Sequence, residues 1–512
     1  MPSPNVPFRQ GLLLCGLLAA AVLLTACPPS ASDSVYDDPA RSITLKVPDD
    51  PTVSFNLWVR VGSQNDPAGK EGLAALTGAL IAGGATTENS YEDILKKLYP
   101  LASTYDVSVD KEMTAVTGRV HKDNLDAYFE LLTDAYLRPA FNEDDFNRTK
   151  NDQLNYLTTQ LRYASDEELG KAALMDFIYD GTAYRHPIAG TVAGLESITI
   201  DDVKAFYQKY YNRANVVTAI GGGFDVDLLE RFEATIDQLP EGEAASPVTV
   251  TPAAIEGNQV MLVEKDGADA SISFGYPISV QRGERDFYAL WIANSWLGEH
   301  RNQSSHLYQV IRETRGMNYG DYSYIEAFPQ GGFRQMPPTN VARNHQIFQI
   351  WIRTLPNAQA HFAIRAATRE LQDLIENGMS EEEFELTRSF LSKYYLHFAG
   401  NNQGRLGYAV DDSFYGIEEG HLNLFGEMMA SITREEVNAA LKEHLRFDNM
   451  KIAVITGDAE NMAEALKNDT PSPIEYPTPK SEEVLAEDKE ISTYSIPIAD
   501  VKIVPVEEIF GK

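Results

Sequence analysis

Hydrophobic positions in the first half of the chain switch between the spacing of strands and the spacing of helices. The stretches ITLKV and VSFNLWVRV predict strands, and the apolar stretch from Glu71 to Gly84 predicts a buried helix. A helix in SYEDILKKLYPL and alternating strands in STYDVSVDK and EMTAVTGRV follow. Three longer helical patterns then lead to the β-branched strand VVTAI and a helix, DVDLLERFEATIDQL. These patterns predict an α+β fold.

The second half repeats this order in outline. VMLVEK and SISFGYPI predict strands, RDFYALWIANSWLG and SSHLYQVIRETRG predict helices, and strand-like segments follow between Asn318 and Ile352. Further helical patterns end in the strand MKIAVITGD and the helix AENMAEALKND, which match the end of the first half. The shared order of elements predicts an internal duplication, although the two halves share little sequence.

Composition places the boundaries of these halves. A stretch rich in Pro, Ala, Ser and Glu without periodicity predicts a linker at 240–257. We therefore expect an N-terminal domain at 42–239, a C-terminal domain at 258–470, and an acidic, proline-containing tail at 471–512 with a possible strand. A chain of 512 residues is long enough for two hydrophobic cores.

Charge and cysteine content exclude several functions. The formal net charge of −32 repels nucleic acids, so we expect no nucleic-acid partner. The two cysteines, Cys15 and Cys27, lie at the N-terminus. The remaining body therefore has no disulfide, no thiolate nucleophile and no cysteine-based zinc site.

The N-terminus predicts export and a lipid anchor. An uncharged apolar stretch after Arg9 ends in Leu24-Thr25-Ala26-Cys27, which resembles the lipobox of bacterial lipoproteins. The resemblance implies a signal peptide at 1–27, lipidation of Cys27 and a flexible tether at 28–41. Because proline follows the cysteine, it also implies an outer-membrane location facing the periplasm. An ordinary signal peptide with a chance cysteine is the alternative.

The organisation of the whole body resembles the insulinase or pitrilysin family of zinc peptidases, the inverzincins, in their short two-domain form. The segments that carry the resemblance are the Gly-Leu-Ala start of the Glu71 helix, GGATTENSYEDI, RPAFNEDDFNRTKNDQLNYL, VIRETRGMNY and MKIAVITGD. The resemblance implies two homologous domains, each a mostly antiparallel sheet covered by helices.

The zinc motif of that family is degenerate in this chain. Active members carry His-x-x-Glu-His, two ligands and a general base, and a glutamate on a later helix as third ligand. The resemblance places Ala75, Gly78 and Ala79 at the first three positions and Tyr156 at the fourth. Alanine and glycine have no donor atom, and a phenol is a poor zinc ligand. No two of the nine histidines are four residues apart, so we expect no bound metal and no catalytic residue.

A second family motif is intact. Active members use an arginine and a tyrosine seven residues apart in the C-terminal half to hold the substrate, and Arg312 and Tyr319 have that spacing. A guanidinium and a phenol both donate to a peptide carbonyl. The alternative is structural: Arg312 at a helix end and Tyr319 packed in a strand.

Three functions remain open from the sequence. The first is the non-catalytic subunit of a zinc-peptidase complex, in which a zinc-bearing homologue is the partner, the only chain with zinc, and a peptide is the substrate. The second is a stand-alone peptide-binding or scaffold lipoprotein. The third is an active hydrolase with unrecognised chemistry, which the absence of a mature cysteine and of a Gly-x-Ser-x-Gly motif disfavours.

Overall fold

Residues 42–332 and 334–511 are described in the computed structural model, so the expected signal peptide, Cys27 and the tether at 28–41 lie outside the described residues. The described residues form two sheets with covering helices. The strands are β1 (Ser42–Lys46), β2 (Thr52–Val59), β3 (Tyr105–Val109), β4 (Thr114–His121), β5 (Val216–Gly222), β6 (Asn258–Glu264), β7 (Ala270–Ile278), β8 (Asp321–Tyr324), β9 (Gln346–Leu355), β10 (Lys451–Thr456) and β11 (Ile498–Pro505).

The helices flank these strands in both halves, and two further segments, Tyr156–Ala164 and Tyr308–Glu313, are π-helical. The α-helices are α1 (Leu73–Gly83), α2 (Tyr91–Leu98), α3 (Leu125–Leu137), α4 (Glu143–Asn155), α5 (Asp166–Ile178), α6 (Val192–Ser197), α7 (Ile200–Tyr210), α8 (Val226–Ile236), α9 (Arg285–Gly298), α10 (Ala360–Asn377), α11 (Glu381–Tyr394), α12 (Asn402–Tyr415), α13 (His421–Ser431), α14 (Arg434–His444), α15 (Ala459–Lys467) and α16 (Glu482–Ser492). No helix within the described ranges is long and apolar enough to cross a membrane.

The two sheets share one topology, as the repeated sequence pattern predicts. The first has the order β1-β5-β2-β4-β3, and the second has the order β11-β6-β10-β7-β9-β8. With β11 set aside, the strands of the second sheet follow the same order as those of the first. Strand β1 pairs in parallel with β5, and β6 pairs in parallel with β10. The other pairs among these ten strands are antiparallel. The predicted α+β fold with mostly antiparallel sheets is confirmed.

Side-chain capping explains where many helices begin. The Asn142 side chain accepts a hydrogen bond from the backbone N–H of Asp145 (2.8 Å) and so starts α4. Thr199 and Asp202 form a reciprocal capping box at the start of α7. These caps satisfy N–H groups that lack a partner within the helix.

One helix of each half covers the sheet of the other half. Helix α5 packs against β7, β9 and β10 of the second sheet, and α12 packs against β1, β2 and β5 of the first. Polar contacts fix α5 in place: Lys451 donates to the carbonyl of Phe177 (2.7 Å), and Arg353 forms an ion pair with Glu167 (2.6 Å). The first hydrophobic core therefore includes residues of β6 and β10. Each sheet therefore has one face that is covered by a helix from the other half of the chain.

The C-terminal residues connect the halves a second time. After α16, β11 pairs in parallel with β6 at the edge of the second sheet. The chain then reaches the first half, where Val192 N–H donates to the carbonyl of Phe510 (2.9 Å) and Arg162 donates to the carbonyl of Ile509 (2.6 Å). Ile509 and Phe510 are both buried. The tail thus contains a helix besides the expected strand, and its end packs against the first half.

Candidate functional site

Helix α1, on which the resemblance places three of the four degenerate zinc positions, begins at a backbone turn that requires glycine. Gly72 has a φ of 106°, and a Cβ there would lie 2.6 Å from the carbonyl oxygen of Ala189. The carboxylate of Asp66 caps the helix, because it accepts hydrogen bonds from the N–H groups of Gly72 and Ala74 (both 2.7 Å). The helix therefore starts two residues later than the apolar pattern predicts.

The cap is part of a buried group of titratable side chains. Burial raises the pKa of Asp66 to about 7 despite its two backbone hydrogen bonds. Burial also lowers the pKa of Lys111 to about 7 and that of His186 to about 4. His186 Nε2 lies 3.9 Å from the Asp66 carboxylate. None of these side chains belongs to the family motif.

The position of the general base is closed by packing. Gly78 lies in the buried middle of α1, and a Cβ there would lie 2.7 Å from Cγ2 of Val109 and 3.1 Å from Cγ1 of Val107. Both valines belong to β3, which packs against α1. A side chain at this position would have to push these two valine side chains aside, so the close approach of helix and strand leaves no free space for a glutamate there.

The remaining zinc positions face a less crowded environment. Ala75 and Ala79 are half-buried and lie four residues apart on one face of α1. Tyr156 begins the π-helical segment after α4 and is 39% exposed, and burial raises the pKa of its phenol above the ordinary value. Gln153, one turn before Tyr156, donates to the carbonyls of Gly72 (3.0 Å) and Ala189 (2.9 Å) and joins α4 to the start of α1.

A possible metal-ligating group occurs elsewhere in the described residues. Asp286, Glu443 and His444 have ligand atoms within 4.8 Å of one another, and His444 Nε2 lies 2.8 Å from Asp286 Oδ2. Asp286 lies in the first turn of α9 and His444 in the last turn of α14. A hydrogen bond between the His444 imidazole and the Asp286 carboxylate accounts for the approach of these two residues without a metal.

The structure brings Arg312 and Tyr319 together. Arg312 lies in the π-helical segment that ends at Glu313, and Gly316, with a φ of 73°, reverses the chain after it. The guanidinium carbon lies 5.5 Å from the ring centroid of Tyr319, which is a cation–π contact. Tyr319 is 76% exposed, so it does not pack into a strand as the structural alternative requires.

Buried polar residues that sequence reasoning missed hold this turn. Asn318 Nδ2 donates to Asp321 Oδ1 (2.7 Å) and to the carbonyl of Arg353 (3.0 Å). Asp321 is fully buried, its second carboxyl oxygen has no hydrogen-bond partner, and burial raises its pKa well above the ordinary value. The positive charges of Arg353 and Arg312 act on this carboxyl in the opposite direction. In the sequence, this buried polar group is indicated only by the two polar residues near Tyr319, Asn318 and Asp321.

Two family models match successive parts of the chain. Residues 41–192 match "Insulinase (Peptidase family M16)", and residues 197–391 match "Peptidase M16 inactive domain". Together they cover more than half of the chain.

Individual relatives agree with these models. An "uncharacterized zinc protease" of Streptomyces coelicolor is 22% identical over 67% of this chain and 72% of its own length. The "non-peptidase homolog YmxG" of Helicobacter pylori is 20% identical over 78% of this chain and 88% of its own length.

Solved structures agree on the fold. The "peptidase M16 inactive domain" from Pseudomonas fluorescens superposes with a TM-score of 0.71 at 22% identity, covering 81% of this chain and 95% of its own. A chain of "Complex III2 from Candida albicans" gives a TM-score of 0.62 at 16% identity, covering 81% of this chain and 93% of its own. The protein described here therefore belongs to the insulinase family of peptidases, family M16, as a short and catalytically inactive form.

Proposed function

We propose that this chain is the non-catalytic subunit of a zinc-peptidase complex in the bacterial envelope. In this proposal a homologue with an intact His-x-x-Glu-His motif binds the zinc ion and cleaves the peptide. The present chain, held at the outer membrane through Cys27, supplies Arg312 and Tyr319 to the peptide in the shared site.

The observation that carries the proposal is the contrast between the two motifs. No zinc-ligand position of α1 has a donor atom, and β3 closes the position of the base. Arg312 and Tyr319, by contrast, lie in contact, with the phenol directed to solvent. An exposed aromatic ring on a turn fixed by the buried Asn318 and Asp321 is expected of a binding residue rather than a packing residue.

The chemistry of the pair suits a peptide in an extended conformation. The guanidinium offers several N–H donors and the phenol offers one O–H, so both can donate to carbonyl oxygens of a peptide or to an oxyanion on it. A partner with zinc would supply the Lewis acid and the base that this chain lacks. The similarity to a chain of a multi-subunit complex supports an assembly of this kind.

The decisive experiment mixes the purified chain with the zinc-motif homologue from the same cell. We expect co-elution in size-exclusion chromatography and peptide cleavage only in the mixture. In the mixture, Arg312→Ala should lower kcat/KM by about tenfold or more, because a charge-assisted hydrogen bond contributes about 1.5–3 kcal/mol. Tyr319→Phe should lower it by about twofold to tenfold, because a neutral hydrogen bond contributes about 0.5–1.5 kcal/mol.

Matched variants separate the proposed role from a general surface effect. Arg60 is exposed and lies over the ring of Trp58 at 5.2 Å, so Arg60→Ala removes a comparable cation–π contact elsewhere. Tyr99 is 87% exposed, which makes Tyr99→Phe the control for Tyr319→Phe. Equal activity of the zinc homologue with and without this chain would refute the proposal.

A stand-alone peptide-binding lipoprotein is the second candidate, and the edge of the first sheet favours it. Strand β3 is the last strand of that sheet, and its residues alternate between buried or half-buried and exposed positions. Such an edge can accept an added peptide strand through backbone hydrogen bonds. Saturable peptide binding by the isolated chain, with no stimulation of any zinc homologue, would favour this candidate over the first.

A further inference from the structure

A cleft lined by aromatic rings lies in the second half, away from α1. It is bounded by the end of α9, by β8 with the loop after it, and by the end of α11. The cleft is partly open to solvent. We refer to it as the aromatic cleft, and its defining residues are Trp291, Glu299, His300, Tyr324, Phe328 and Tyr394.

The aromatic cleft contains a carboxyl group without a cation. Glu299 is only 9% exposed, and its recorded hydrogen bonds both reach Oε2, from Ser295 Oγ (2.7 Å) and Asn302 Nδ2 (3.4 Å). Across the described ranges no lysine, arginine or histidine forms an ion pair with it. Burial raises the pKa of Glu299 to about 7. A buried carboxylate without a positive partner is costly.

The other acidic residue of the cleft is already neutralised. Glu326 accepts two hydrogen bonds from Arg282, at 2.8 and 2.9 Å, and Arg282 also contacts Asp411 at 3.2 Å. The guanidinium is therefore committed to these two carboxylates. Glu299 is left as the uncompensated charge of the cleft.

The imidazole in the wall does not supply a positive charge. His300 Nε2 lies 2.9 Å from the carbonyl oxygen of Arg334, which can only accept, so Nε2 carries the proton. His300 Nδ1 lies 2.7 Å from the hydroxyl of Tyr324 and accepts from it. This arrangement satisfies a neutral ring, and burial lowers the pKa of His300 to about 4.

The wall also offers an unused acceptor. The side-chain oxygen of Asn294 is buried and has no hydrogen-bond partner. The rings of Trp291, Tyr324 and Phe328 line the same cleft, and those of Tyr324 and Phe328 are stacked with 5.2 Å between their centroids. Aromatic faces, a carboxylate and a free carbonyl oxygen all attract positive charge.

We propose that the aromatic cleft binds an organic cation, namely a guanidinium or alkylammonium group, with Glu299 as counter-charge and the rings as walls. The cation would donate hydrogen bonds to Glu299 and to the side-chain oxygen of Asn294. An anion would meet the charge of Glu299, and an apolar group would leave that carboxylate unpaired. The proposal rests on these residues alone and does not require a catalytic partner.

The position of the cleft suggests two sources for the cation. Tyr324 ends β8, and Tyr319 precedes that strand by two residues, so the two tyrosines are about 16 Å apart along an extended chain. A basic side chain of an extended peptide that contacts Tyr319 could reach the cleft. A free small amine or guanidine could enter it as well.

Calorimetric titration of the purified full chain tests the proposal with three probes. Methylguanidinium represents the free cation, N-acetyl-arginine methylamide represents a basic side chain in a peptide, and N-acetyl-citrulline methylamide is the neutral isostere. We expect saturable binding of both cations and none of the citrulline compound. Tighter binding of the arginine compound than of methylguanidinium would identify the peptide as the source, and equal binding would identify the free cation.

Substitutions test whether the cations bind in the aromatic cleft. Glu299→Gln should weaken binding of the cations by about tenfold or more, and Tyr394→Ala by about twofold to fivefold. Glu418→Gln, at an exposed position, should leave binding unchanged. Thermal melting of each variant checks that it is folded. Absence of saturable binding to the wild-type chain, equal binding of the citrulline compound, or unchanged affinity in folded Glu299→Gln would overturn the proposal.

Discussion

Helix α1 and the turn at Tyr319 differ in the side chains that surround their expected functional positions. Along α1 the expected motif positions are packed by apolar groups, since Gly78 lets β3 approach closely and the residues at these positions have no polar side-chain atom. At the turn, buried polar groups are retained: Asn318 bonds to Asp321, whose carboxyl has an unpartnered oxygen, while Tyr319 remains exposed. Apolar packing fills the first position, whereas at the second a costly buried carboxyl lies two residues along the chain from an exposed ring.

The largest expected effect comes from restoring the glutamate of the zinc motif. Gly78→Glu places a charged side chain against the valines of β3, and we expect it to lower the free energy of unfolding by about 3 kcal/mol or more. Ala79→His, at a half-buried position of the same helix, should cost less than about 1 kcal/mol. Urea denaturation measures both. Equal stability of the two variants would show that β3 does not close the position.

An intermediate effect is expected at the cap of α1 and depends on pH. The raised pKa of Asp66 means that its protonated form favours the folded state; this contribution is full below about pH 4 and is lost as the pH rises to about 7. In Asp66→Asn the free energy of unfolding should therefore decrease less over that range. Denaturation at several pH values measures the slope, and Asp49→Asn, at an exposed position, serves as control. Parallel slopes of wild type and Asp66→Asn would contradict the assignment.

The smallest expected change in stability is at the exposed ring. Tyr319→Ala should alter the free energy of unfolding by less than about 0.5 kcal/mol, because the side chain is 76% exposed. Asn318→Ala, in the same turn, should cost about 1–3 kcal/mol, since Asp321 loses its side-chain donor. Thermal melting of the two variants compares them directly. A large loss in Tyr319→Ala would indicate a structural role for the ring.

Local sequence patterns predicted the repeated strands well, but they did not predict the helices α5 and α12. Each of these helices packs on the sheet of the other half, so its partner lies far away in sequence. A periodic pattern shows that a helix has a buried side; it does not show which distant surface covers that side. The same limit hid the contact of Phe510 with the first half.

The candidate site could likewise be predicted only in part from the sequence. The degenerate positions Ala75, Gly78 and Ala79 followed from the spacing of a known motif, and so did Arg312 and Tyr319. Their consequences required coordinates, because the valines that approach Gly78 come from β3 and the aromatic cleft combines separate segments of the second half. Spacing identifies positions along one element, whereas closure of a site depends on side chains brought together by the fold.

The exchange of α5 and α12 sets an order of events if the chain folds from its N-terminus onward. The first sheet is complete once β5 has been made, but the helix that covers its second face begins about 180 residues later, at Asn402. On that face, strand β2 presents Ser54, Asn56 and Trp58 at alternate positions, each with a buried polar atom that has no recorded hydrogen-bond partner. A face with polar groups of this kind is less prone to aggregate during the delay than a wholly apolar one.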